Sequence, residues 1–208
     1  MKMIKIILPI SALLLSSCMS ILPEPAPAKS VYRLTNTVEQ VDPSPNALQL
    51  RVDTPSAARL LGSRQIIVSP DATRMAVAAG TEWADALPNL AQQAFIETLN
   101  GRSDIVGVIP IAGARTNYRI HMNIDHFEAL FDQGETSAPM VIITYSVTLA
   151  HSGTRELLGS KKFQRTRRAN SIAISSIIPA MNTANNEVLS DIADWISALQ
   201  LNNQEALR

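Results

Sequence analysis

Two kinds of side chain in this sequence carry reactive chemistry: one thiol, Cys18, and three imidazoles, His121, His126 and His151. Cys18 closes the run Leu15-Ser16-Ser17-Cys18 directly behind a short apolar stretch, a placement that makes it a lipid attachment site. The imidazoles are natural metal ligands or acid–base groups, and Asp125 lies between the first two. On an ideal strand, however, His121 and His126 differ in parity and face opposite sides, whereas a metal site needs converging ligands. Only a bulge would reconcile them, so the histidines read as ordinary polar side chains on or near a sheet, and no metal is expected. There is no Gly-x-Ser-x-Gly elbow, no P-loop and no Gly-x-Gly-x-x-Gly behind a strand. No catalytic residue is assigned, and the chain reads as a non-enzyme.

The residues before Cys18 have the three parts of an export signal: a basic start (Lys2, Lys5), an apolar middle from Ile6 to Leu15, and small residues before the cut. Pro9 and Ser11 interrupt an apolar run already shorter than the ~20 residues needed to span a bilayer, so residues 1–17 are expected to be removed. Leu-Ser-Ser-Cys resembles the bacterial lipoprotein signal, cut between Ser17 and Cys18. That resemblance implies a diacylglycerol on the thiol and a further acyl chain on the new amino terminus, a covalent anchor in place of any cofactor. Two or more chains hold stably, at about 0.8 kcal/mol per buried CH₂. Acylation also disposes of a thiol that has no partner cysteine in an oxidising compartment. Met19, rather than Asp, follows Cys18, and resemblance to enterobacterial sorting then implies the outer membrane, periplasmic face.

What remains after residues 1–17 is enough for one domain with a sizeable core. Lys+Arg and Asp+Glu are equal at 18 each and aromatics make up only 4% of the chain, so no nucleic-acid partner is expected. Residues 18–30, with Pro23, Pro25 and Pro27, lack a packing pattern and read as an extended tether. The domain is expected over 31–200 and a polar tail over 201–208.

Within the domain, Val31 to Leu34 and Leu48 to Val52 alternate apolar with polar as half-buried strands do. Arg64 to Ser69, a turn at Pro70-Asp71, and Arg74 to Val77 read as a hairpin. From Trp83 the apolar residues Leu87, Leu90, Ala91, Ala94, Phe95 and Leu99 form a helical stripe stopped by Asn100-Gly101, with Pro88 placing the start or a kink. Asn117 to Phe127, Met140 to Leu149 and Leu157 to Arg168 predict an antiparallel meander. Met181 to Leu199 predicts a closing helix. The fold class is therefore α/β or α+β, a single domain whose mixed, largely antiparallel sheet carries two main helices.

Three surface features remain. Lys161, Lys162, Arg165, Arg167 and Arg168 form a basic cluster that either meets an anionic partner or guards an edge strand. Trp83 and Trp195 read as core anchors. Ile172 to Pro179 is a loop or helix start with more apolar residues than a solvated connection needs, so it either covers the core or forms a contact surface; on the second reading Ile174 and Ile177, with Lys161 and Arg167, are the candidate partner contacts.

Tyr32-Arg33-Leu34, Gln65 to Val68, Trp83 with Ala86-Leu87, Tyr118-Arg119-Ile120 leading to Asp125-His126-Phe127-Glu128, and the closing helix together resemble the ABC-type transport auxiliary lipoprotein family. The likeness spans roughly Val31 to Leu199 and departs at Ala57 to Gly62 and at Ile172 to Asn186. It implies a non-enzymatic, lipid-anchored accessory to a permease, its ATPase and a mammalian-cell-entry-domain protein that moves lipid between membranes. It further implies homo-oligomeric rings docked on the far end of that conduit. Two other readings stay open: a periplasmic lipoprotein that captures a small apolar ligand in an internal cavity, and a structural envelope lipoprotein.

Overall fold

The computed structural model describes residues 28–36 and 38–206, with only the backbone over 200–206; the expected signal segment and most of the tether lie outside the described residues. In chain order the elements are β1 (Ser30–Tyr32), β2 (Leu48–Val52), β3 (Ser56–Ala57), β4 (Ile67–Asp71), β5 (Arg74–Val77), β6 (Thr81–Trp83), α1 (Leu87–Asn100), β7 (Ile105–Val108), β8 (Tyr118–Leu130), β9 (Met140–His151), β10 (Leu157–Arg168) and α2 (Ile174–Ala206).

Strand β8 organises the sheet. Its alternation buries Ile120, Met122 and Ile124, then Phe127 and Ala129. On one side it pairs antiparallel with β9, from Tyr118↔His151 to Leu130↔Met140, and β9 pairs antiparallel with β10. On its other side three short strands follow one another in parallel: β2 opposite Tyr118 to Ile120, β3 opposite Asn123 and Ile124, and β4 opposite Glu128 to Leu130. β7 lies parallel outside β2, so the path runs β10-β9-β8-β2-β7. The sheet is mixed and largely antiparallel by length of pairing, as expected. The parallel partners β3 and β7 and the small β1–β6 pair were not foreseen.

The β4–β5 hairpin forms as expected, but β4 begins at Ile67 and continues through Pro70 to Asp71. Pro70 has no N–H to give, and the ladder skips from Val68↔Ala76 to Asp71↔Arg74. The Asp71 carboxylate closes the turn by accepting from Thr73 N–H and Oγ1 and from Arg74 N–H. Thr73 foremost holds its pKa far below the ordinary carboxylate value.

Both helices pack against the sheet. Pro88 sits in the first turn of α1, where the missing N–H costs nothing, so the helix starts there rather than kinking. Trp83 belongs to β6, and its ring packs edge-on to Phe127 at 5.9 Å, a core anchor as read from the sequence. In α2 the buried residues Ile177, Met181, Ala184, Val188, Ile192 and Ile196 follow the helical period. Each fully buried aliphatic or aromatic side chain contributes about 1.5–3 kcal/mol of transfer free energy. The stretch Ile172 to Pro179 is mostly helix: α2 begins at Ile174 and carries Pro179 inside its second turn.

Candidate functional site

Cys18 and Ser17 lie outside the described residues, so the lipid site has no geometry here. The other expected contact residues fall on one flank of the domain, where the sheet ends at β10 and α2 packs against it. Phe163 fills the contact from the strand, and its ring meets Trp195 edge-on at 5.5 Å. Gly159 keeps this approach close, because a Cβ there would lie 2.9 Å from Trp195 Cζ2. Between strand and helix runs an open groove of about 570 Å³ bordered by Lys161, Phe163, Arg165, Asp191, Asp194 and Trp195.

Most of the basic cluster is neutralised where it stands. Arg165 forms a two-pronged pair with Asp191, 2.7 Å on each prong. Arg167 reaches Glu187 at 2.5 Å, Lys162 reaches Asp125 at 3.2 Å and Arg168 reaches Asp132 at 2.5 Å. Lys161 alone of the five has no carboxylate partner among the described residues; its ammonium lies over the Phe163 ring, 5.0 Å from the centroid. Of the strand's cations it is therefore the one available to an acidic group. No further strand pairs with β10 among the described residues, so the backbone groups on its outer side are open, flanked by the long cations that discourage indiscriminate pairing.

The apolar half of the expected contact needs correcting. Ile177 is only 2% exposed and belongs to the core, because the helix turns it toward the sheet. Ile174 is half-buried against the same core, and Ile172, at 53%, is the one large apolar side chain of the stretch that is exposed.

The histidines are also differently placed than an ideal strand implies. The β8–β9 register shifts between Ile124 and His126, leaving Asp125 as an extra residue, a β-bulge. The buried set then passes from Ile124 to Phe127, and His121 and His126 share the wetter face of β8. They still do not converge. His121 Nε2 sits 3.1 Å from Ser56 Oγ, whereas His126 Nδ1 sits 2.7 Å from Glu128 Oε1. His151 packs edge-on to Tyr118 at 5.3 Å. No group of three potential metal ligands occurs among the described residues.

What the bulge positions instead is Asp125, the hub of a polar ladder across four strands. It accepts from Ser146 Oγ and Asn123 Nδ2, both at 2.6 Å, beside the Lys162 pair. Ser56 in turn donates to Asn123 Oδ1 at 2.8 Å. Burial pulls the Asp125 pKa up, but the hydrogen bonds from Ser146, Asn123 and Lys162 outweigh it and hold the carboxyl below its ordinary value. Ser56 and Ser146 carried no sequence signal, since only strand pairing brings them beside Asn123 and Asp125.

A family model described as ABC-type transport auxiliary lipoprotein component matches residues 32–193. Among solved structures, a Xanthomonas campestris protein of the DUF330 family model superposes with a TM-score of 0.72 at 22% identity, covering 85% of this chain and 99% of its own. An uncharacterized protein gives a TM-score of 0.64 at 15% identity, with 82% and 99% covered. A hypothetical protein of Chlamydia trachomatis gives 0.50 at 6% identity, with 73% and 99% covered. These likenesses show a shared fold. No curated protein matches the chain.

Proposed function

The chain belongs to the ABC-type transport auxiliary lipoprotein family, and from that premise we propose that it docks the conduit of the transport system at the periplasmic face of the outer membrane. The observation that carries this reading is the reach of the family match, which spans nearly the whole described fold from β1 to α2. The docked partner in this reading is a mammalian-cell-entry-domain protein, met by homo-oligomeric copies of the chain, and the cargo is lipid.

Two features support the proposal. Between Cys18 and Ala28, ten residues of chain extend at most about 35 Å. A lipid on Cys18 thus keeps the domain close to its own membrane, and a long partner must come to it. The flank formed by β10 and α2 offers an open strand edge, a Lys161 with no carboxylate partner among the described residues, and the exposed Ile172. No helix among the described residues is long and apolar enough to cross a membrane.

Photo-crosslinking residues placed at Lys161, Arg167, Ile172 and Ile174 in whole cells test the proposal. A mammalian-cell-entry-type protein or a neighbouring copy of the chain should be captured. Capture of peptidoglycan alone, or uncrosslinked monomer at all four positions, would remove docking in favour of a structural envelope role.

A further inference from the structure

The connection from β7 to β8 has an unusual surface. It leaves β7 through Ile109, makes a 3₁₀ turn over Pro110–Ala112, reverses at Gly113 with φ 70°, and returns through Arg115 to β8. Ile109 is 42% exposed and Ile111 88%, the largest exposure of any bulky apolar side chain among the described residues. Solvation does not explain two isoleucines and a proline at such a tip.

The returning limb borders an open pocket of about 380 Å³ lined by Asn46, Gln49, Arg115, Asn117 and Tyr118. The lining contains no Asp or Glu. Arg115 is exposed and, like Arg33, Arg59 and Arg155, holds no carboxylate among the described residues, whereas its neighbours Arg51 and Arg119 both pair with Asp53. The pocket is braced from outside: Ser152 N–H donates to the Asn117 carbonyl at 2.8 Å, and the Tyr118 ring packs on His151.

A guanidinium with no internal partner, surrounded by amides and a phenol and by no competing carboxylate, is a receptor for an anion with several acceptor oxygens. Phosphate suits this donor set best. The exposed isoleucines on the same loop add a second requirement, an apolar part joined to that anion. We propose that the pocket binds the phosphate of a phospholipid headgroup, with the acyl part lying against Ile109 and Ile111. The site lies on the β7–β8 connection, whereas the proposed docking flank is formed by β10 and α2, and it does not depend on the docking proposal.

Native mass spectrometry of the full lipidated chain tests the site, with three probes: dihexanoylphosphatidylglycerol, dihexanoylglycerol and inorganic phosphate. One phosphatidylglycerol should bind per chain, and each of the other probes, lacking half of the recognition, at least about tenfold more weakly. Arg115→Gln should weaken the lipid about tenfold, the scale of a lost charged hydrogen-bonded pair. Ile111→Ser should weaken the lipid while leaving phosphate unchanged. Both variants should melt with the parent, since Arg115 pairs with no carboxylate and Ile111 is exposed. Lipid occupancy unchanged in Arg115→Gln, no lipid bound at all, or phosphate bound as tightly as the lipid would each overturn the assignment.

Discussion

Tyr145 on β9 donates its hydroxyl hydrogen bond to Asn185 Oδ1 on α2 at 2.7 Å, and both residues are fully buried. Burial pushes the phenol pKa far up, so the hydroxyl stays protonated and the bond persists at any physiological pH. This buried contact, with the Arg165–Asp191 and Arg167–Glu187 pairs at the rim, fixes how the helix sits along the sheet, because sliding α2 would strand both buried groups. Tyr145→Phe leaves Asn185 Oδ1 buried without a donor and should cost about 1–3 kcal/mol in urea unfolding. Pairing it with Asn185→Leu should recover part of the loss, since no polar atom is then stranded.

Two glycines set close approaches of helix to sheet, with different expected tolerance. A Cβ at Gly107 on β7 would lie 2.9 Å from Leu99 Cδ1 and 3.3 Å from Leu99 Cβ, and Leu99 is fully buried. Gly107→Ala must therefore push α1 outward, and a loss of about 1–3 kcal/mol is expected. At Gly159 the obstructing ring of Trp195 is only partly buried and can swing toward solvent, so Gly159→Ala should cost less. Thermal melts of the two variants side by side check the order.

These contacts also mark how far the sequence could be read. The meander and both helices follow from periodicity, because β8, β9, β10, α1 and α2 are long enough for the pattern to repeat. β3, with two residues, and β6, with three, are too short to show any period. Ile177 was misplaced because an apolar run contiguous in sequence was read as one surface, whereas Ile172 precedes the helix and stays exposed and helical geometry turns Ile177 inward. The shared face of His121 and His126 depends on one extra residue at Asp125, and a bulge leaves no mark on composition. Ser56 and Arg115 matter through what lies beside them in space, which pairing and loop path decide.

Acid should weaken the polar ladder. The folded-state pKa of Asp125 lies below its ordinary value of 3.8, so its ionised form stabilises the fold above that value. The contribution is fully present at neutral pH and is lost as pH falls below 3.8 through the depressed folded value. Unfolding free energies measured by urea across this range should drop with pH. Asp125→Asn should lower stability at pH 7 and flatten the acid limb; a limb of unchanged slope would remove Asp125 from the account.

Cys18→Ala should abolish labelling by a fatty-acid analogue and release the domain from membranes, since no other acyl anchor is assigned. Density-gradient fractionation of the parent should place it with outer-membrane markers. A variant that still pellets with membranes, or a parent that travels with the inner membrane, would refute the anchor or its sorting respectively.

The most direct measurement is co-purification. The full lipidated chain, affinity-tagged at its C-terminus and recovered from envelopes after mild crosslinking, is compared by quantitative mass spectrometry with a Lys161→Glu variant of equal abundance. The transport reading expects a permease, its ATPase and a mammalian-cell-entry-domain protein to be enriched with the parent and depleted with the variant. Recovery of the chain with none of these three, from cells in which all are present, would contradict it.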